Sequence, residues 1–250
     1  MQYIGLSDVG KVRQNNEDYI LMPASDRLSS IKTKLKKYGY LFIVCDGVGG
    51  HNAGEIASKF AAQYLMHNWY GDKYPELSDH ERLRAIIREV NDEILKLSRE
   101  KPDYSDMATT LTALLVKGKT CFIANIGDSR TYLLANNTLT QITDDHSAVW
   151  PLYKGGFVAK DDLRFHPKKH LITRALGLND EPQIDVFDIQ SPRSGLFLLC
   201  TDGLTDLLSD ESIKEILQMN ADLSTKANNL LHIALDNSGK DNISMILLQL

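Results

Sequence analysis

A chain of 250 residues is long enough for a sizeable core, built as one large domain or two small ones. Its composition is ordinary, 43% hydrophobic and 24% charged, and a net charge of -5 argues against wholesale nucleic-acid binding, which needs a basic field to neutralise phosphates. Met1 to Gly10 lacks a charged-then-apolar leader pattern, and no apolar run approaches the roughly 20 residues of a membrane span, so the chain is expected to be soluble and cytoplasmic.

In chain order, residues 3–9 and 18–22 read as short strands around the polar stretch Arg13-Gln14-Asn15-Asn16-Glu17-Asp18. Residues 26–39 are basic, with Arg27 and a run of lysines, and read as a solvated loop or frayed helix, with docking of an acidic partner as the alternative. Leu41 to Cys45 is a continuous apolar run broken by Gly47, Gly49 and Gly50, the pattern of a strand buried on both faces, which leaves Asp46 at a strand's exit. Asn52-Ala53-Gly54-Glu55 resembles a helix-capping box and precedes apolar positions 56, 57, 60, 61, 64 and 65 at helical spacing. Ser78-Asp79-His80-Glu81 opens a second helix with a stripe at 83, 86, 87, 90, 94 and 97.

The pattern then changes to strands. Residues 110–116 and 120–126 form a hairpin around Lys117-Gly118-Lys119, and residues 131–135 and 138–142 form another around Asn136-Asn137, which tolerate a tight turn's positive φ. Connections this short exclude crossover helices, so the sheets are mainly antiparallel. Residues 144–181 carry three histidines and Gly155-Gly156 without periodicity and read as a lid or inserted subdomain. Strands return at 183–190 and 196–201, a second helix pair follows at 210–219 and 223–236, and residues 242–250 close the chain as an apolar strand. Two helix pairs separated by hairpin blocks predict an α+β four-layer sandwich: two face-to-face sheets, each covered by a helix pair, in one domain spanning 1–250. Cys45, Cys121 and Cys200 lie in apolar runs without C-x-x-C spacing and read as buried reduced thiols.

The device at Asp46 recurs at Gly127-Asp128, Asp202-Gly203 and Asp241-Asn242, each at the edge of an apolar run. Carboxylates without a His/Cys cluster favour magnesium or manganese, and several converging on one site need cations to offset their repulsion. Two ions sharing a carboxylate, for which Asp46 is the candidate, can activate a bridging water, and Arg13 offers a bidentate fork for phosphate. Phosphate-ester hydrolysis by water follows, because other phosphatase chemistries fail on the residues. The sixth positions after the cysteines are His51, Gly127 and Asp206, so no C-x5-R occurs, and neither D-x-D nor G-N-H-[ED] is present.

Arg13-x-x-Asn16-Glu17-Asp18, Asp46-Gly47-Val48-Gly49-Gly50-His51, Thr109-Thr110, Gly127-Asp128-Ser129-Arg130, Asp145-His146-Ser147, Thr201-Asp202-Gly203-Leu204 and Asp241-Asn242 resemble, in order, the metal-dependent serine/threonine protein phosphatase family, PPM or type 2C, in its bacterial branch. The resemblance implies hydrolysis of phosphoserine and phosphothreonine in proteins with Mn2+ or Mg2+, two ions in the core site and a third beside them. It implies that Asp46 bridges, that Gly47 coordinates through its carbonyl, that Asp202 and Asp241 bind the first ion, and that Glu17 and Asp18 accept from metal-bound waters. It further implies that Asp128 and Asp202 hold the third ion, that Arg13 binds the phosphate, and that residues 146–177 form a flap. Animal members carry a general-acid histidine where Val48 stands here. His170, ending the basic run Lys168-Lys169-His170, is the candidate to meet the leaving group or position the peptide. His51, His67, His80, His146 and His232 are read as structural or exposed. The expected partners are phosphorylated proteins and a cognate kinase, met by a monomer, with neither nucleic acid nor membrane. A phosphoprotein-binding pseudophosphatase and a small phosphate-ester hydrolase are the alternatives.

Overall fold

The computed structural model describes residues 1–23, 28–49, 53–192 and 194–250. One antiparallel sheet runs in the order β1 (Gln2–Asp8), β11 (Ile243–Gln249), β10 (Leu196–Cys200), β7 (Arg130–Ala135) and β8 (Thr138–Gln141). The other runs β2 (Asp18–Leu21), β3 (Tyr40–Val48), β5 (Leu111–Lys117), β6 (Thr120–Ile126) and β9 (Asp185–Gln190), with the two-residue β4 (Ala108–Thr109) paired to the end of β3.

Period-two alternation sorts each central strand into two cores. Leu41, Ile43 and Cys45 of β3 and Leu111, Ala113 and Leu115 of β5 face outward onto α2 (Ala53–Tyr70) and α3 (Asp79–Glu100). Phe42 and Val44 of β3 and Leu114 of β5 face inward, against Phe197 and Leu199 of β10 and Ile246 and Leu248 of β11. The alternate residues of β10 and β11, including Leu198, Cys200, Met245 and Leu247, pack beneath α6 (Asp210–Gln218) and α7 (Leu223–Asp236). The expected four-layer sandwich is therefore present.

Local signals act as their chemistry predicts. Ser78 and Glu81 complete a capping box at the start of α3. Asn136 and Asn137 both take positive φ, 49° and 61°, in the β7–β8 turn. All three cysteines are buried and free. In the basic 26–39 segment, residues 28–38 form the helix α1 (Leu28–Tyr38), and its last residue, Tyr38, is buried with its carbonyl accepting from Trp69 Nε1 at 3.1 Å. Residues 26 and 27 of that segment, like Gly50, His51 and Asn52 of the glycine turn and its expected capping box, lie outside the described residues.

Between β8 and β9 the chain carries α4 (Trp150–Lys154) and a 3-10 turn at Lys160–Phe165, which share a small core of Val149, Trp150 and Leu163. Its base is closed by two isolated bridges, Ser147 to Ile172 and Thr109 to Leu176.

Candidate active site

Antiparallel pairing brings the aspartates together. Pairing register sets the start of β2 beside the end of β3 (Asp18 opposite Asp46) and the end of β6 beside the start of β5 (Ile126 opposite Leu111). Likewise the end of β10 lies beside the start of β7 (Cys200 opposite Arg130), and the start of β11 beside the end of β1 (Ile243 opposite Asp8). Residues at these strand boundaries, far apart in sequence, share one edge of the sandwich. A cleft of about 540 Å³ there is lined by Arg13, Glu17, Asp46, Gly47, Asp128, Asp202, Asp241 and His170.

Each carboxylate is held by its surroundings. Asp46 is gripped through its backbone: Thr109 Oγ1 and the Thr110 N–H donate to its carbonyl at 2.9 Å each, and its N–H donates to Thr110 Oγ1 at 3.0 Å. This explains the Thr109-Thr110 pair. Asp18 is buried and accepts from Thr201 Oγ1 at 2.9 Å. The Asn242 N–H donates to Asp241 Oδ1 at 2.9 Å, while its side chain accepts from the Glu17 N–H at 2.8 Å and donates to the Val9 and Asn15 carbonyls at 2.9 Å each. Asn242 thus staples the loop carrying Arg13 and Glu17 to the start of β11. That role passed unnoticed in the sequence, although the residue follows a candidate ligand directly.

The glycines after Asp46 and Asp202 have a packing cause. A Cβ on Gly47 would stand 2.2 Å from the Gly54 carbonyl oxygen, and one on Gly203 would stand 1.9 Å from that of Asn242. Only glycine allows these backbones so close.

The electrostatics of the cluster favour added positive charge. Burial, then repulsion from Asp18 and Asp202, pushes the Asp46 carboxyl well above the usual carboxylate range. Burial, then Asp202, does the same to Asp128. Asp18 and Asp202 are each pushed up to about 7, foremost by burial and then by neighbouring aspartates. Asp128 Oδ1 is buried without a hydrogen-bond partner. A buried carboxylate oxygen left unsatisfied among other carboxylates suits a hard divalent ion with oxygen ligands. The cysteines offer no competing nucleophile, because burial raises the Cys45, Cys121 and Cys200 thiols.

Two arrangements go beyond the sequence reading. Asp206 lies one helical turn past Asp202 and shares a recess with Asp128 and Asp202. His170, Asp202 and Asp206 each place one ligand atom within 4.8 Å of the others, and Lys169 Nζ lies 2.5 Å from Asp206 Oδ2. Arg13 does not stand free: its NH2 donates to Asp241 Oδ2 at 2.8 Å, in a pair open to solvent.

The loop bearing Asp128 is anchored from behind. The Gly127 N–H donates to His146 Nδ1 at 3.1 Å, and His146 Nε2 lies 3.1 Å from Asp185 Oδ2, which fixes the proton on Nε2. Arg130 forks onto Asp145, Nε to Oδ1 at 2.8 Å and NH2 to Oδ2 at 2.6 Å, and donates to the Tyr132 hydroxyl, which donates in turn to Asp210. Lys160, from the segment between β8 and β9, completes the chain on Asp210 at 2.6 Å.

Comparison with known proteins agrees with this geometry. The family model described as Protein phosphatase 2C matches residues 22–236. The chain is 36% identical to a serine/threonine phosphatase stp of Listeria monocytogenes over 97% of this chain and 93% of that protein. It is 37% identical to the serine/threonine protein phosphatase PstP of Mycobacterium tuberculosis over 98% of this chain and 44% of that longer protein. Among solved structures, Stp1 from Staphylococcus aureus superposes with a TM-score of 0.87 at 32% identity, covering 98% of this chain and 93% of that one. The catalytic domain of PstP in complex with two manganese ions superposes with a TM-score of 0.80 at 35% identity, covering 98% and 96%.

Proposed function

The chain belongs to the protein phosphatase 2C family, and we propose that its cleft is the active site of a metal-dependent protein serine/threonine phosphatase in which Asp46, Gly47, Asp128, Asp202 and Asp241 hold the ions. The observation that carries this assignment is the desolvated, mutually repelling set Asp46, Asp128 and Asp202, with the buried Asp128 Oδ1 unsatisfied. Mn2+ or Mg2+ suits that donor set, and two such ions, when bound, supply positive charge for the phosphoryl oxygens and acidify a shared water.

The chain's own residues do the rest. Asp46 feels the charge of Asp18, Asp202, Asp128 and Asp241 alike, which supports it as the shared ligand. Glu17 and Asp18 accept hydrogen bonds from water in the cleft and orient it. Arg13 is half exposed and bound to Asp241 through one NH2, so it swings to a phosphate dianion at the cost of a solvent-screened pair. His170, exposed at the cleft mouth, meets the leaving-group oxygen or the peptide beside it. Val48, 39% exposed, offers no proton.

The reading extends to the whole chain as one phosphatase domain whose residues 146–177 are a flap over the cleft. It extends also to a monomer acting in cytoplasmic signalling on phosphorylated proteins and opposite a cognate serine/threonine kinase. No helix among the described residues is long and apolar enough to cross a membrane. A pseudophosphatase has no use for the full set of aspartates, and nothing in the cleft favours small phosphate esters.

The test is phosphate release from phosphoserine, phosphothreonine and phosphotyrosine peptides with manganese and with chelator. Hydrolysis of the first two in manganese alone is expected. Equal turnover in chelator, or release from phosphotyrosine only, contradicts the proposal.

A further inference from the structure

The catalytic cleft does not end at Asp241. His170, Lys240 and Asp241 line both that cleft and a second groove of about 690 Å³, so the two adjoin along these residues. One wall of the groove is the segment from Arg164 to His170, and the other is Ser209, Ser212 and the 237–241 turn that leads into β11. A volume of this size belongs to a ligand-binding cleft rather than a packing defect.

Its charge is sorted by what is already paired. The two carboxylates on its lining are both occupied, Asp206 by Lys169 and Asp241 by Arg13. The two cations Arg164 and Lys240 have no carboxylate partner among the described residues, and Arg164 Nε is buried without an acceptor. Arg164 stacks instead on Phe165, 4.8 Å from the ring centroid, and that ring is 73% exposed. A protein of net charge -5 thus keeps two uncommitted cations and an open aromatic face in a groove beside its catalytic cleft.

On the reading that the cleft hydrolyses phosphoproteins, we infer that this groove seats the peptide flanking the phosphorylated residue, and that Arg164 and Lys240 select flanks carrying an anionic side chain, carboxylate or second phosphate. Charge complementarity argues for that occupant, since a guanidinium and an ammonium without carboxylate partners gain charge-assisted hydrogen bonds from an incoming oxyanion. A basic flank would instead bring like charge against Arg164 and Lys240. Phe165 offers the peptide an apolar face beside them.

The experiment measures kcat/KM on phosphothreonine peptides identical except for three flanking residues, Glu, Ala or Lys, placed on either side. The expected order is Glu over Ala over Lys, with about a fivefold gain for Glu on the side that enters the groove, as for solvent-accessible ion pairs. The gain shrinks as salt shortens the screening length. Arg164→Glu combined with Lys240→Glu inverts the order in favour of Lys, which a merely structural defect would not do. A doubly phosphorylated peptide separates the two anions: a gain beyond that of Glu assigns the second phosphate, and an equal gain assigns carboxylate. Wild-type indifference to the flank, or an unchanged order in the double variant, overturns the inference. Failure to hydrolyse any phosphopeptide would overturn the phosphatase reading itself.

Discussion

Neutralising Asp202 is expected to stabilise the metal-free protein at alkaline pH while destroying the site. Asp202 is pushed from the usual 3.8 up to about 7 in the folded chain. Between those values the folded protein keeps a proton that the unfolded chain has released, so stability falls as pH rises through this window and stays low above 7. The difference of about 3 units corresponds to a ceiling of about 4 kcal/mol. If a third of that is realised, about 1 kcal/mol, the Tm moves by about 2–4 °C for a chain of this size. The assay is thermal unfolding in chelator at pH 5 and pH 8 for wild type and Asp202→Asn. The variant should gain on the wild type as pH rises, by several degrees at pH 8, and manganese should raise the wild-type Tm more at pH 8 than at pH 5. A gap between the two proteins that stays constant from pH 5 to pH 8 would refute the electrostatic reasoning.

Gly203→Ala places a Cβ against the Asn242 carbonyl and should cost about 1–3 kcal/mol in urea unfolding, with weaker manganese binding because Asp202 and Asp241 flank the clash. Asp145→Ala strands the largely buried Arg130 guanidinium and should cost about 3–5 kcal/mol by the same assay, whereas Lys154→Ala, an exposed pair with Asp144, should cost under about 1 kcal/mol. Arg13→Ala should lower kcat/KM without weakening manganese binding measured by calorimetry, and Arg13→Lys should recover only part of the loss because the two-pronged geometry is gone.

Much of this was legible because the site sits at strand ends. An apolar run ending in aspartate and glycine announces both the strand and a candidate ligand, and antiparallel pairing returns such ends to one edge, where Asp46, Asp128, Asp202 and Asp241 line one cleft. What stayed hidden depends on partners distant in sequence. Asp206 reads as an ordinary helix residue until Lys169 and Asp202 are beside it, although its i+4 spacing from Asp202 was a usable signal. Arg13 reads as a free cation until β11 delivers Asp241 to it. His146 was expected to be structural, and its hydrogen bond with the Gly127 N–H ties that structural role to the loop of Asp128. The basic segment reads as a solvated loop or frayed helix, and residues 28–38 form a helix; the burial of Tyr38 at its end is a tertiary effect no local pattern carries.

Asp46, the desolvated carboxylate at the end of β3 proposed to be shared, should bind the ions that hydrolysis requires. Asp46→Ala tests it most directly, with manganese binding by calorimetry, turnover of a phosphothreonine peptide and thermal unfolding measured on one preparation. The expected result is a folded protein that loses tight manganese binding and nearly all turnover together. Full turnover in that variant, or intact manganese binding with turnover lost, would contradict it.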